Sequence, residues 1–157
     1  MDTHWHGIVE TPVPNLGTGM GRLQGGHARW LNERHDHEGH VFRHRFWSTR
    51  IADEAHLFRA CLYVVLNPVA AGACAHPRDW PHCSYATTAF GDPDGYAPGE
   101  ERLLRLFGDT PREARRAYRE VVDRMAAMIT STRVATGRGL WRALEQVQAR
   151  GNSPVPG

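Results

Sequence analysis

Apolar positions recur along the chain with spacings that predict two strands and four helices. Short apolar stretches at residues 4–10 and 41–51 predict strands, the second of which carries Arg43, Arg45 and Arg50 among its aromatic residues. Apolar spacings of three and four residues predict helices over four segments: Asn15 to about Glu33, Asp53 to Asn67, Thr110 to about Met128, and Leu140 to Ala149. Elements of both kinds are therefore expected.

Residues that restrict the backbone set the predicted ends of these elements. Pro68 disfavours helical backbone at the residue before it, which predicts that the second helix ends at Asn67. The sequence Thr110-Pro111-Arg112-Glu113 is a capping box, which predicts the start of the third helix. The remaining segments lack periodicity: a polar turn at residues 35–39, an irregular Pro- and Gly-rich connection at 76–99, and a disordered tail at 151–157.

Length and composition favour one globular domain. A chain of 157 residues, of which 41% are hydrophobic and 23% charged, is long enough to bury a core. No apolar stretch approaches the roughly 20 residues needed to span a bilayer, and the N-terminus lacks the pattern of a signal peptide. Cys61, Cys74 and Cys83 form no Cys-x-x-Cys motif, so reduced thiols in a cytoplasmic protein are expected.

Basic charge is concentrated in one part of the chain. All 19 basic residues are arginines, and the stretch from Arg22 to Arg50 combines several of them with half of the 10 histidines. Arginine binds two phosphate oxygens at once, and Phe42, Phe46 and Trp47 lie among these charges. A groove for a nucleic-acid backbone is one interpretation; a solvated face, with an arginine bias from GC-rich coding, is the other.

Two His-x-His pairs occur among the histidines. On a strand, His4 and His6 would point to the same face and could bind one divalent cation. His35 and His37 lie in a polar turn, where solvated side chains are the simpler interpretation. In so histidine-rich a chain, one such pair arises by chance in about half of cases, so this pattern alone leaves the metal site open.

The second predicted helix carries a polar stripe opposite its broad apolar face. At about 100° per residue, the stripe contains His56, Arg59, Tyr63 and Asn67. It aligns an imidazole, a guanidinium, a phenol and an amide along one side of the helix. The alternative interpretation is that Tyr63 is an ordinary surface tyrosine.

Several segments, taken in order, resemble the single-tyrosine HUH-type transposases, and in particular the REP-associated tyrosine transposases of bacteria. The most specific block is Tyr63-x-x-x-Asn67-Pro68-Val69-x-Ala71-Gly72. The matching segments are residues 4–12, 15–16, 28–32, 39–46, 62–72, 77–85 and 103–108. The resemblance covers roughly residues 1–125.

The resemblance implies a role for each matching residue. Tyr63 would be the nucleophile that forms a 5′-phosphotyrosine link with DNA and leaves a free 3′-OH. A Mg²⁺ or Mn²⁺ ion held by His4, His6 and Asn67 would polarise the scissile phosphate. The substrate would be single-stranded or hairpin DNA resembling a repetitive extragenic palindrome. The residues expected to bind it are Arg43, His44, Arg45, Arg50 and Arg59, whereas Phe46 and Trp47 suit either DNA or a core.

The same resemblance implies an α+β, ferredoxin-like fold. Family members have a strand, a helix and another strand ahead of the His-x-His strand, and this unit has no counterpart here, so a chain truncated at its N-terminus is expected. The expected domains are a partial transposase domain at 1–99, a helical extension of it at 100–130, and a short helix with a disordered tail at 131–157. A bacterial, cytoplasmic and nucleoid-associated monomer or homodimer without membrane contact is expected.

Three hypotheses about function follow. The first is a transposase that cleaves and rejoins DNA strands. The second is a catalytically inactive or domesticated transposase remnant that binds DNA. The third is a histidine-rich metal protein that uses His35, His37, His40 and His44.

Overall fold

A computed structural model of the protein describes residues 4–92, 97, 99–134 and 136–149. The helices are α1 (Leu16–His35), α2 (Glu54–Ala70), α3 (Tyr85–Phe90), α4 (Glu100–Leu104), α5 (Pro111–Thr132) and α6 (Arg138–Ala149). A 3₁₀ turn lies at Pro77–Asp79. The chain divides into two compact units: the first comprises Met1–Ile8 with Ile51–Gly157, and the second comprises Val9–Arg50.

The expected α+β, ferredoxin-like fold is wrong for this chain. Helices make up 61% of the structure, and the described residues contain no strand. Residues 4–10 and 41–51, both predicted as strands, are extended or bent segments outside any sheet. A strand is stable only where a neighbour pairs with its N–H and C=O groups, and the periodicity of a short apolar stretch does not reveal whether such a neighbour exists.

Helix α2 is central to the first unit, where it packs against α5 and α6. Its apolar face is buried through Phe58, Leu62, Val65 and Leu66. Helices α3 and α4 pack against α5. The buried stripe of α5 comprises Ala114, Tyr118, Val121, Val122, Met125, Ala126 and Ile129. Burial of this apolar surface fixes the rotation of α2 about its axis, and therefore the direction of its polar stripe.

The start of α2 is capped by a side chain, whereas its end differs from the predicted one. At the start, the Asp53 side chain accepts a hydrogen bond of 2.7 Å from the His56 backbone N–H, as a helix cap does. The predicted end at Asn67 is wrong, because the helix continues through Pro68 to Ala70. Pro68 and Val69 are both buried, and the Ala71 N–H still bonds to the Asn67 carbonyl at 2.9 Å. Burial in the core thus outweighs the local preference against proline in a helix.

The helices predicted near the C-terminus are confirmed. Helix α5 begins at Pro111, and Thr110 Oγ1 accepts a 3.3 Å hydrogen bond from the Glu113 backbone N–H. Helix α6 includes the predicted residues 140–149. The predicted irregular connection at 76–99 contains the 3₁₀ turn and α3, while 93–96 and 98 lie outside the described residues. The tail predicted at 151–157 also lies outside them.

The second unit contains α1 followed by an extended segment. Helix α1 confirms the prediction, although Asn15 at its start makes no side-chain cap hydrogen bond. The last residue of the helix is His35, and Asp36 caps it with a φ of 48°, in the left-handed region. This cap lies in the predicted polar turn. Within this unit the His27 ring lies 5.8 Å from Trp30 and 6.1 Å from Phe42, measured between centroids. Small aromatic contacts of this kind, rather than a large core, organise the unit.

Candidate functional site

The polar stripe of α2 lies beside two other segments of the first unit. His56, Arg59 and Tyr63 are half-buried, and Asn67 is only 1% exposed. Tyr63 contacts the N-terminal segment through His6 and contacts α6 through Trp141. Tyr63 is therefore a half-buried residue that packs against the core and contacts both a histidine and a tryptophan.

The two N-terminal histidines and Tyr63 form a continuous contact. The rings of His4 and His6 meet edge-on with their centroids 4.9 Å apart, and the rings of His6 and Tyr63 do so at 5.2 Å. The segment that carries the histidines has no sheet partner among the described residues, yet the rings of its two histidines lie together. Three of the four residues predicted for the catalytic centre are thus neighbours.

His6 has the electrostatic properties of a neutral imidazole. Burial lowers its pKa, and the nearby charge of His4 lowers that pKa further. Its Nε2 atom is buried and has no hydrogen-bond partner in the part of the chain that the structure describes. A neutral imidazole with an unused ring nitrogen is suited to metal ligation or to proton transfer.

Asn67, the fourth predicted residue, lies one helical turn after Tyr63. Both polar atoms of its side chain, Oδ1 and Nδ2, are buried without a partner among the described residues. A buried amide with no hydrogen bond is costly, so such a group calls for an explanation. An oxygen donor for a hard divalent ion is one explanation, and imidazoles such as those of His4 and His6 are compatible ligands for Mn²⁺.

The donor set for such an ion therefore depends on Asn67. Within the described residues, no group of three or more His, Cys, Asp and Glu side chains is arranged to hold a metal ion. His4 and His6 supply two nitrogens, and Asn67 is the buried oxygen donor nearest to Tyr63 along α2. The residues present fit the predicted ion in donor type: two imidazole nitrogens and one amide oxygen.

Sequence reasoning missed Trp141 on α6. Its ring centroid is 6.0 Å from that of Tyr63 and 5.4 Å from that of His56. The Arg59 guanidinium carbon lies 5.6 Å from the same ring, and its Nη1 donates a hydrogen bond to Gln148 Oε1. Helix α6 lies beyond the segments on which the resemblance rests, and a tryptophan in a short amphipathic helix is ordinarily a core residue. Nothing in the sequence pointed to this contact.

The predicted DNA-binding residues divide between the two units. Arg43, His44, Arg45 and Arg50 are exposed on the extended segment of the second unit, whereas Arg59 belongs to α2 in the first. Trp47, on the same extended segment, is 86% exposed and is therefore not a core residue. Each of these assignments remains a prediction about a surface whose charge and exposure suit DNA.

The alternative metal site at His35, His37, His40 and His44 has no support from the geometry. All four side chains are exposed. Within the described part of the chain they do not form a group arranged to hold a metal ion. Solvated side chains of a polar turn account for their exposure.

Comparisons with known proteins add no relative. No protein-family model, no curated protein and no solved structure matches the chain. A search of the described helices finds none with the length and apolarity that a bilayer crossing requires.

Proposed function

We propose that the chain cleaves and rejoins single-stranded or hairpin DNA through Tyr63, as the sequence resemblance to single-tyrosine transposases implies. The observation that supports this proposal is the edge-on contact of His6 with Tyr63 at 5.2 Å, extended by His4. The predicted nucleophile and the predicted histidine pair are far apart in sequence, and nothing in the helical pattern alone requires them to meet. Their contact is what a shared reaction centre needs.

The proposed reaction balances without a further reactant. The Tyr63 phenolic oxygen attacks phosphorus and loses its proton, a new P–O bond forms to the tyrosine, and the bond from phosphorus to the 3′ oxygen breaks. The 3′ oxygen takes up a proton and leaves as a hydroxyl group. Because one phosphodiester replaces another, a second 3′-OH can reverse the step and join a new strand.

The residues of the chain have distinct parts in this reaction. His6, with its lowered pKa and unused Nε2, remains neutral and is able to bind an ion through that nitrogen. Mg²⁺ or Mn²⁺ would be held by His4, His6 and Asn67 and would polarise the scissile phosphate. Asn67 is buried in the core around α2, and its amide has no hydrogen-bond partner among the described residues, so its oxygen is unused within the protein.

Formation of a covalent adduct tests the proposal. Incubation with a labelled DNA hairpin that carries a single-stranded flank, in Mn²⁺, is expected to yield a denaturation-resistant protein–DNA band. Tyr63→Phe removes the nucleophilic oxygen and is expected to abolish the band. Tyr118→Phe is the matched control, because Tyr118 is fully buried in the core and lies outside the site. An adduct of normal yield in Tyr63→Phe would reject Tyr63 as the nucleophile.

The second unit favours one other function, DNA binding without catalysis. Trp47 is 86% exposed and lies in sequence among exposed arginines, an arrangement suited to stacking of a base beside phosphate contacts. A binding protein of this kind would retain salt-sensitive hairpin binding in EDTA and form no adduct. Trp47→Ala is expected to weaken that binding, whereas Tyr63→Phe would leave it unchanged.

A further inference from the structure

Helix α6 contacts every polar residue of the α2 stripe that precedes Asn67. Trp141 meets His56 and Tyr63 edge-on, and its ring faces the guanidinium of Arg59. The Trp141 Nε1–H donates a 2.8 Å hydrogen bond to Glu145 Oε1, one turn further along α6, which orients the indole ring. One fixed ring therefore organises three side chains of the stripe.

One nitrogen of the Arg59 guanidinium is hydrogen-bonded, whereas another has no partner among the described residues. Its Nη1 donates to Gln148 Oε1, and the guanidinium carbon lies 5.6 Å from the centre of the Trp141 ring. Its Nε atom is buried and has no hydrogen-bond partner among the described residues. A guanidinium normally presents a pair of donors to a phosphate or carboxylate. The Arg59 guanidinium is positioned by Gln148 and Trp141 and retains an N–H donor without a partner among the described residues, so it is suited to binding an anion.

His56 offers a second donor along the same stripe. The Ala52 backbone N–H donates to His56 Nδ1 at 3.4 Å, so the neutral ring carries its proton on Nε2. In this tautomer Nε2 donates a hydrogen bond and does not accept one. His56, Arg59 and Tyr63 follow one another at intervals of three and four residues, which places them on one face of α2.

We propose that His56 and Arg59 form a phosphate-binding site beside Tyr63, and that Trp141 and Gln148 on α6 are its positioning residues. The identification of the anion as a DNA phosphodiester rests on the proposed function. The anion site itself rests on the unpartnered Nε of Arg59, on the His56 tautomer and on the contact of both side chains with Trp141. The Glu145 carboxylate contacts Trp141, whose indole N–H donates to its Oε1. Helix α6 thereby contributes to the proposed site as well as to the core, in which its Leu140 and Leu144 are buried.

Anion binding is tested without any cleavage. Inorganic phosphate is titrated into the full chain labelled with ¹⁵N, with chloride holding the ionic strength constant, while the Trp141 indole N–H resonance is followed after assignment with Trp141→Phe. A saturable shift is expected in the unaltered protein. Gln148→Ala removes the acceptor that holds Arg59 and is expected to weaken phosphate binding by roughly tenfold. Arg142→Ala, which removes an exposed arginine from the same helix, is expected to change the affinity less than about twofold.

A cleavage assay distinguishes a positioning role of Trp141 and Gln148 from an effect on folding stability alone. In single-turnover cleavage of the hairpin, Gln148→Ala and Trp141→Ala are expected to lower the rate constant at saturating DNA by roughly tenfold or more. Trp141→Phe, which retains an aromatic ring, is expected to restore most of that rate. A purely structural role would lower the yield of adduct through loss of folded protein and leave the rate constant unchanged.

The outcomes distinguish the two proposals. Absence of a phosphate-induced Trp141 shift, or equal phosphate affinity in Gln148→Ala, would overturn the anion site. Phosphate binding that depends on Gln148, without any Tyr63-dependent adduct, would support the anion site and overturn the transposase function. An adduct that forms at the normal rate in Trp141→Ala would overturn the role of α6.

Discussion

Replacement of Asn67 by leucine is expected to raise the folding stability of the protein and to abolish its activity. Asn67 is 1% exposed, and neither Oδ1 nor Nδ2 has a hydrogen-bond partner among the described residues. Leucine branches at the same carbon as asparagine and carries no polar atom. The substitution therefore removes a buried, unsatisfied amide and keeps much of its shape.

The magnitude follows from the cost of leaving such groups unpaired. A buried polar group without a partner costs about 1–3 kcal/mol, so Asn67→Leu is expected to raise the free energy of unfolding by a similar amount in EDTA. For a protein of this size, each 1 kcal/mol corresponds to a rise in Tm of about 2–4 °C. An asparagine that made ordinary core hydrogen bonds would give the opposite sign.

The second part of this prediction concerns the stabilisation of the folded protein by a bound metal ion. Mn²⁺ at ten times its Kd is expected to stabilise the unaltered protein by about 1.4 kcal/mol, and Asn67→Leu is expected to lose this gain together with the covalent adduct. Urea unfolding with and without Mn²⁺ measures both effects. Asn67→Ala serves as a second variant, because it cannot overpack the core and is expected to cost less than the usual 2–5 kcal/mol of a core truncation.

Two results would refute this reasoning. A loss of more than about 1 kcal/mol in both Asn67→Leu and Asn67→Ala would show that the amide contributes ordinary hydrogen bonds to the core. Undiminished Mn²⁺ stabilisation in Asn67→Leu would exclude Asn67 as a ligand. Either result would leave the contact between His6 and Tyr63 to be explained in another way.

Three further predictions concern stability. Leu66→Ala opens a cavity at a fully buried position of α2 and is expected to lower the free energy of unfolding by about 2–5 kcal/mol in urea titrations. Gly21→Ala adds a Cβ that meets no heavy atom within 4 Å and is expected to increase α1 stability by about 0.5–1 kcal/mol, measurable by circular dichroism during thermal unfolding. Burial raises the pKa of Cys61 from 9.0 and that of Tyr85 from 10.0, each to about 12, so the unfolded chain loses these protons first and stability falls as pH rises from 9 to 12. Each group contributes a slope of at most about 1.4 kcal/mol per pH unit, and Cys61→Ala is expected to flatten the fall between pH 9 and 10.

The sequence predicted the helices because their evidence is local. The stripe of α5, the cap at Thr110 and the spacing in α1 and α2 all lie within a few residues of the elements they define. The predicted strands failed because a strand depends on partners elsewhere in the chain, and the described residues supply none to residues 4–10 or 41–51. The end of α2 was wrong for a related reason: burial of Pro68 is a tertiary property that local preference does not contain.

The candidate site was predictable only in part. The resemblance identified His4, His6, Tyr63 and Asn67, and the structure brings the first three into contact and buries the fourth. The fold implied by the same resemblance is wrong, so the contact between these residues does not depend on a sheet. Trp141 and Gln148 were not predicted, because their importance comes from the packing of α6 on α2, which no sequence pattern encodes.

Because the chain is divided into two units, the contact of the histidine pair with Tyr63 depends on an unbroken polypeptide. His4 and His6 belong to the first unit, but the chain passes through the whole second unit, Val9–Arg50, before it reaches Tyr63. A single cut by a protease in the exposed residues 36–40 would turn an intramolecular contact into a bimolecular one once the two parts of the second unit separate, and the effective concentration supplied by the tether would be lost. Assembly of the site would then depend on a peptide bond that belongs to the second unit and not to the first.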